Sequence, residues 1–452
     1  VPYGQELEDA TWAMGKAALM LRNIAGGSGD AVDQMTDLSA GIMLGDTLDD
    51  DKFEGRTFNY QLTNPPYGKE WKKEQSSVID EMQRGFGGRF GAGKPDIDDG
   101  SMLFLQNVAA KMAPPEEGGG KAAIVLSGSP LFNGDAGSGP SSIRRWLFAE
   151  DLVDCIVKLP TDIFYRTGIA TYIWVLNNHK TDNRRGYVQL IDASDEKTPL
   201  RKSQGNKRFE VSEEQTAWIV RTYVDGHDHG KSVIVPVEDF MYRKVTTQRP
   251  LRVFVEPKGE TTEELFSLNK PMEKLTETSR SVLRTWAEEN EGESLEYAEV
   301  VSAVETIHKK LEKPKPPKAD LVAALVKVFG RRDAEAEPAI DAKGNAVYDP
   351  ELKDYENVPL GMDIDDYMVS EVLPYAPDAV VDASVIDDPK FDKKTGLTSN
   401  PLGDGGVGVV GTSISFNRYF YKYEKPREPE VIASEILELE DGLGALMRGF
   451  LA

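Results

Sequence analysis

Cysteine is almost missing from this chain: its 452 residues include one, Cys155. An intramolecular disulfide and a multi-cysteine zinc site are therefore both excluded. Cys155 itself falls in an apolar strand-like run and reads as a core residue. Histidine is nearly as scarce, with four residues, and His227 and His229 share a polar turn that offers no third ligand. No metal centre is expected. No stretch approaches the roughly 18–20 consecutive apolar residues of a membrane span. The opening VPYGQELEDA has neither the basic nor the apolar region of a secretory leader. A cytoplasmic protein without a membrane partner is expected. Positive charge is also in deficit, with 53 Lys and Arg against 76 Asp and Glu and a net charge of −23. Such a surface repels phosphates, so nucleic acid cannot be bound by the body as a whole.

What is present is ordinary globular material, 40% hydrophobic and 29% charged. At about 150 residues per domain the length suggests two to four domains. Charge is spread unevenly. Between Lys52 and Lys94 basic residues outnumber acidic ones, whereas between Gly361 and Asp392 the only basic residue is Lys390. A local basic site on an acidic body is thus open, helped by a partner that brings more positive charge.

From the start to about Ala193, apolar strand-like runs alternate with helical patterns, which predicts an α/β fold. Trp12, Ala13, Ala17, Met20, Leu21 and Ile24 recur at helical spacing, and KAAIVLS (121–127) and ATYIWVL (170–176) read as buried strands. We divide the chain into a catalytic α/β part (1–200), a mostly helical middle (201–350) and an acidic segment with a C-terminal tail (351–452). The middle carries a Pro-rich linker near 313–318, KPKPPK. The tail ends in an amphipathic helix with a stripe of Val431, Ile432, Ile436, Leu439, Leu443 and Leu446.

The chemistry is concentrated in Asn64, Pro65, Pro66 and Tyr67, which follow a strand in FNYQLTNPPYG. An exocyclic amino nitrogen on a base is a poor nucleophile, because its lone pair is delocalised into the ring. An Asn side-chain oxygen and a proline carbonyl, each accepting one N–H, pull that nitrogen toward a tetrahedral shape. Acceptors fixed where charge develops are worth a few kcal/mol, roughly as oxyanion-hole donors are. Tyr67 offers a flat ring for stacking on the base. The alternative is a strand-ending turn with an aromatic plug.

Two carboxylates precede this turn. Glu6 closes a short extended start, a position that suits a ribose hydroxyl pair. Asp46 stands 18 residues before Asn64 in GDTL, where it could accept from an adenine amino group. A helix N-cap and a turn carboxylate are the competing readings. Downstream, Phe164 in LPTDIFY is a candidate for the second wall of a base pocket with Tyr67, or else a core aromatic. Lys69, Lys72, Arg84, Arg89 and Lys94 are candidate phosphate contacts around a Gly-rich loop expected to be mobile. GRFGAGKP fits GxxxxGK but ends in Pro95 and follows no strand, so ATP binding there is rejected.

In this order the blocks resemble adenine-specific DNA methyltransferases, and more narrowly the modification (M) subunit of type I restriction–modification systems. YGQELEDATWAMGKAALMLRNI, GDTL, NPPYG, GSMLFLQNVAAKM…KAAIVLS and LPTDIFYRTGIATYIWVLNN are similar to its catalytic blocks. ENVPLGMDIDDYMVSEVLPYAPDAVVD and SFNRYFYKYEKPREPEVIASEI are similar to its C-terminal region. The resemblance implies a class I methyltransferase (Rossmann-like) sheet followed by a helical region and a C-terminal docking helix. It implies S-adenosylmethionine held by Glu6, Asp46 and Asn64, methyl transfer to adenine N6 in duplex DNA, and a bacterial or archaeal cytosol. It also implies a specificity (S) subunit bound through the tail, a second M subunit and a restriction (R) subunit. The family's Gly-rich PAxGTGGF-like loop should precede GQE and is absent from this sequence, so an N-terminally incomplete sheet with open strand edges is expected. Two other functions compete: methylation of a protein glutamine amide, and an inactive scaffold subunit.

Overall fold

The computed structural model describes residues 2–25, 41–165, 167–226, 230–421, 423 and 428–451. His227 and His229 lie outside them. The chain forms two compact units, each discontinuous in sequence. The larger holds residues up to Asp154 together with Trp174–Tyr187 and Pro236–Ser413; the smaller holds Cys155–Ile173, Val188–Val235 and the chain after Ser413. The α/β class expected from the alternation is present.

In the larger unit, strand Tyr60–Thr63 runs parallel to Lys121–Leu126, with Tyr60 opposite Lys121 and Thr63 opposite Ile124. A strand ending at Asn177 flanks Lys121–Leu126 on its other side. Gly4–Glu6 and Ile42–Leu44 form a separate parallel pair, with helix Asp9–Ala25 pinned to it where the Trp12 indole donates to Ile42 O at 3.1 Å. Strand Tyr60–Thr63 is thus an edge, and Tyr60 and Leu62 are 81% and 86% exposed. The open edge that was expected beside the site strand is therefore seen among the described residues.

The acidic stretch after residue 350 is folded. Met241–Gln248 pairs antiparallel with Asp354–Pro359 on one side and with Val380–Val381 and Val409–Thr412 on the other. Helix Gly139–Ala149 locks onto that last strand through Arg144. Its fully buried guanidinium donates to Thr412 O at 2.6 Å, Thr412 Oγ1 at 3.1 Å and Asn133 O at 2.8 Å. Beside it the buried Asp387 carboxylate accepts from Arg145, Asn400 Nδ2 and Val410 N–H. Satisfying every lone pair in this way is what makes a buried charge tolerable.

The segment 253–332 has its own core of Leu283, Val300, Val304, Ile307, Leu321 and Leu325. Helices Glu277–Glu289, Tyr297–Lys310 and Lys318–Phe329 enclose it, and Val253–Val255 pairs with both Leu295–Glu296 and Gly330–Arg332. The Pro-rich stretch expected as a linker is a packed corner of this body, with Leu311 and Pro316 buried. Strands such as Met241–Gln248 share the middle of the chain with its helices.

Strand Val153–Lys158, from Cys155 on part of the smaller unit, runs parallel to Tyr187–Asp192, with Cys155 buried opposite Gln189. Helix Glu213–Asp225 starts at a Ser212–Gln215 capping box and stops at Gly226, whose φ of 60° suits a residue without Cβ. Gln189 Nε2 ties it to the strands by donating to Thr222 O and Ser232 Oγ.

Asp404 gives a test of the clasp around the late strand. Its bond from Arg243, aided by the Gly406 N–H, holds its carboxyl at about 2. The folded value lies below the unfolded one, so Asp404 contributes stability that is full above about pH 4 and lost as pH falls toward 2. Urea midpoints of wild type and Asp404→Asn should differ at pH 6 and converge as pH falls toward 2. A constant gap would show that the charge of Asp404 is irrelevant.

Candidate active site

Strand Tyr60–Thr63 delivers Asn64-Pro65-Pro66-Tyr67 at its carboxyl end. Pro65 is buried, Asn64 and Pro66 are exposed, and Gly68 turns the chain with φ at 58°. Downstream the loop is clamped. The buried Trp71 donates its N–H to Ile97 O at 3.0 Å and its indole N–H to Asp96 O at 2.8 Å, while Gly100 N–H donates to Lys69 O. Within the turn the Tyr67 hydroxyl donates to Asn64 Oδ1 at 2.6 Å. That bond fixes which face of the amide is the acceptor. Burial raises the phenol above its usual value, against the opposing pull of the Asn64 bond, so the hydroxyl remains a donor at neutral pH.

Glu6 and Asp46 are brought together. They lie at the carboxyl ends of neighbouring parallel strands, with Glu6 in register with Leu44 and its carbonyl accepting from Gly45 N–H at 3.0 Å. Each spends one carboxylate oxygen locally: Glu6 Oε1 accepts from Glu8 N–H at 3.0 Å, and Asp46 Oδ1 from Leu48 N–H at 2.8 Å. The turn and cap readings are thus realised, and Glu6 Oε2 and Asp46 Oδ2 make no hydrogen bond among the described residues. Such a pair of half-used acceptors at one strand edge fits the hydroxyl and amino donors of a nucleoside. Asn64 stands on a different sheet from this pair. Phe164 belongs to the smaller unit, half-buried in the turn after Val153–Lys158.

Of the five cations singled out, Lys69, Lys72, Arg84 and Lys94 are exposed. Arg89 is not available for phosphate, and this corrects the expectation. Its side chain is 10% exposed and pairs with Glu81 through Nε at 2.8 Å and through Nη2. Nη1 donates to Thr47 O at 2.7 Å and Asn107 Oδ1 at 2.9 Å. Nor does the Gly-rich loop stand free: Phe90 is buried, and a Cβ at Gly91 would come within 2.3 Å of Gly85 O. Its glycines serve close packing.

Sequence reasoning missed the residues that support the Asp46 loop. Arg89 grips Thr47 O, and Lys111 Nζ reaches both Asp51 Oδ2 and Phe53 O at 2.7 Å. Gln5 joins from the strand side, with Nε2 donating to Asp50 O at 2.6 Å and Oε1 accepting from Lys52 N–H. These partners lie 42 to 60 residues apart, a separation that leaves no local signal. Above them opens a cavity of about 660 Å³ lined by Asp49, Glu54, Asp80, Arg84, Phe86 and Trp146 among others. Among the described residues no cluster of three or more His, Cys, Asp or Glu is placed to hold a metal.

Parallel strands with polar side chains gathered at their carboxyl ends define the α/β class whose ligands bind at that edge. Within it, residues 1–239 match the N-6 DNA Methylase family, and the chain belongs to that family. The MjaIX type I restriction enzyme methylase subunit of Methanocaldococcus jannaschii is 26% identical over 249 residues, 54% of this chain and 39% of that one. The HindI methylase subunit of Haemophilus influenzae is 28% identical over 192 residues, 42% of this chain and 37% of that one. The chain therefore spans less than half the length of these relatives. A type I restriction–modification methyltransferase subunit of Streptococcus thermophilus superposes with a TM-score of 0.41 at 24% identity, over 52% of this chain and 44% of that one.

Replacing Arg89 by Met strands Glu81 without its cation. The urea-denaturation stability should fall by about 3 kcal/mol, as when one partner of a buried pair is removed. An unchanged midpoint would return Arg89 to the surface.

Proposed function

We propose that this protein transfers a methyl group from S-adenosylmethionine to N6 of adenine in duplex DNA, as the modification subunit of a type I restriction–modification complex. The observation that carries the reading is Asn64 Oδ1, held at the strand end by the Tyr67 hydroxyl, within the segment that matches the family. The catalytic part is the α/β segment 1–200, with the middle and tail serving assembly.

S-adenosylmethionine supplies an electrophilic methyl group on a sulfonium sulfur. Glu6 would hold its ribose hydroxyls and Asp46 its adenine amino group, each through the oxygen left over from the local turn. Asn64 Oδ1 and a proline carbonyl of Pro65-Pro66 each accept one N–H of the target amine. The nitrogen lone pair then leaves the π system of the ring and becomes nucleophilic toward a methyl carbon. As the new C–N bond forms, the bond from that carbon to the sulfonium sulfur would break, its electron pair staying on sulfur, and one proton passes to solvent. Tyr67 has two duties. Its ring stacks on the extruded base, and its hydroxyl keeps Asn64 correctly turned until the amine replaces it on Oδ1. That exchange of one hydrogen bond for another is nearly neutral in energy. Lys69, Lys72, Arg84 and Lys94 are left to contact phosphates.

The C-terminal helix Pro429–Leu451 supports assembly with a partner. Val431, Ile432, Ile436, Leu439 and Leu443 are exposed along it, and a stripe of this kind calls for a hydrophobic partner surface. The side chain of Leu446 lies outside the described ones. Phe416 is buried against Tyr172 and Phe420, which anchors the start of the tail. We assign the helix to the specificity subunit; a second modification subunit and a restriction subunit complete the complex. Membership of a DNA methylase family favours DNA over a protein glutamine as substrate.

Asn64→Ala should abolish methyl transfer to duplex DNA while S-adenosylmethionine binding by calorimetry stays within about twofold, because Asn64 acts mainly on the target amine. Lost cofactor affinity with transfer retained would overturn the assignment. Calorimetry on the parent chain also tests the scaffold alternative, which predicts no binding of the cofactor. Deleting the residues after Glu428 should leave both units folded and prevent co-purification with the specificity subunit. Co-purification at unchanged yield would place the docking surface elsewhere.

A further inference from the structure

The helical body 253–332 is electrically polarised. Between Thr306 and Arg332 eight basic residues stand against two acidic ones, in a chain whose net charge is −23. Arg331 and Arg332 are consumed by Glu256, Asp333, Asp349 and Glu351, and Lys318 by Glu305. Lys309, Lys310 and Lys313 are exposed and form no ion pair among the described residues.

These three lysines stand on a fixed corner between helices Tyr297–Lys310 and Lys318–Phe329. His308 Nε2 lies 3.0 Å from Pro316 O, and Lys315 Nζ donates to His308 O at 2.9 Å. Glu312 N–H donates to Ser279 Oγ at 2.9 Å, while Glu312 Oε2 accepts from Thr276 Oγ1 at 2.8 Å. The corner is thus tied to the neighbouring helix Glu277–Glu289, and Leu311 and Pro316 are packed beneath it. A lysine in the last helical turn is accounted for by the helix dipole. That cause does not extend to Lys313, which is beyond the helix. Helix Lys318–Phe329 turns Ala319, Ala323 and Lys327 outward on one face, so nothing bulky hinders a polyanion lying along it.

We propose that this corner binds the phosphate backbone of duplex DNA, with Lys309, Lys310 and Lys313 as its contacts. The proposal rests on the DNA-methylating reading above. An acidic body repels a duplex at long range, so a preorganised island of unpaired ammonium groups is where binding energy can be gathered. Contacts of this kind fix register on the duplex and carry no sequence information.

The test is the salt dependence of binding of a short duplex to the full chain, followed by fluorescence anisotropy. Each phosphate contact contributes about 0.9 to the slope of log K against log salt. The K309Q/K310Q/K313Q variant should lose about 2–3 from that slope and bind at least roughly tenfold more weakly at low salt. The control K270Q/K274Q, on the acidic half of the same body, should keep the parental slope. An unchanged slope in the triple variant, or an equal loss in the control, overturns the corner while leaving DNA methylation standing. A parent chain that binds no duplex even at low salt overturns the corner as well.

Discussion

One guanidinium, sealed inside the larger unit, holds its distant pieces in register. Arg144 places its donors on Thr412, Pro130 and Asn133, and burial lowers its pKa to about 10, which leaves it charged at neutral pH. A buried charge tolerates no loose fit. Thr412, 268 residues away, must therefore arrive at one position, where its hydroxyl also donates to Ser141 O and its N–H to Ser141 Oγ. Thr412 stands opposite Met241 in the sheet, so the whole antiparallel ladder takes its register from the same point. The parallel strands that present Asn64 share this unit.

Basic residues in this protein divide into those turned inward and those turned outward. Arg144, Arg145, Arg89 and Lys111 organise loops by saturating carbonyls and carboxylates. Arg89 links the inward set to the site, because the carbonyl it grips belongs to Thr47, next to Asp46. The inward set is spent. Lys309, Lys310 and Lys313 keep their charge for the surface. The deficit of positive charge in the composition thus understates how sharply the remainder is localised.

The turn at Asn64 was legible because its physics is local. A strand followed by Asn-Pro-Pro-Tyr fixes its own backbone, and the Tyr67–Asn64 bond spans three residues. Glu6 and Asp46 were legible as strand-end carboxylates, and the local bonds from Glu8 and Leu48 follow from the same positions. Arg89 was not. It sits five residues from Lys94 in the same Gly-rich stretch, and only the arrival of Glu81, Thr47 and Asn107 turns one inward while the other stays exposed.

The Pro-rich 313–318 and the acidic stretch after residue 350 show the same division. Composition marks the first as a linker and the second only as acidic, yet Ser279 clamps the first into a corner and Met241–Gln248 recruits the second as strands. By itself the sequence determined the α/β class, the place of the Asn64 turn at a strand end, the amphipathic C-terminal helix and the scarcity of positive charge. Each follows from spacing, backbone restriction or composition within a few neighbouring residues. The tertiary structure decided which cations are buried and which face solvent, and which loops are tethers and which are walls. Those outcomes depend on partners tens to hundreds of residues away, and desolvation makes the choice between them all or none.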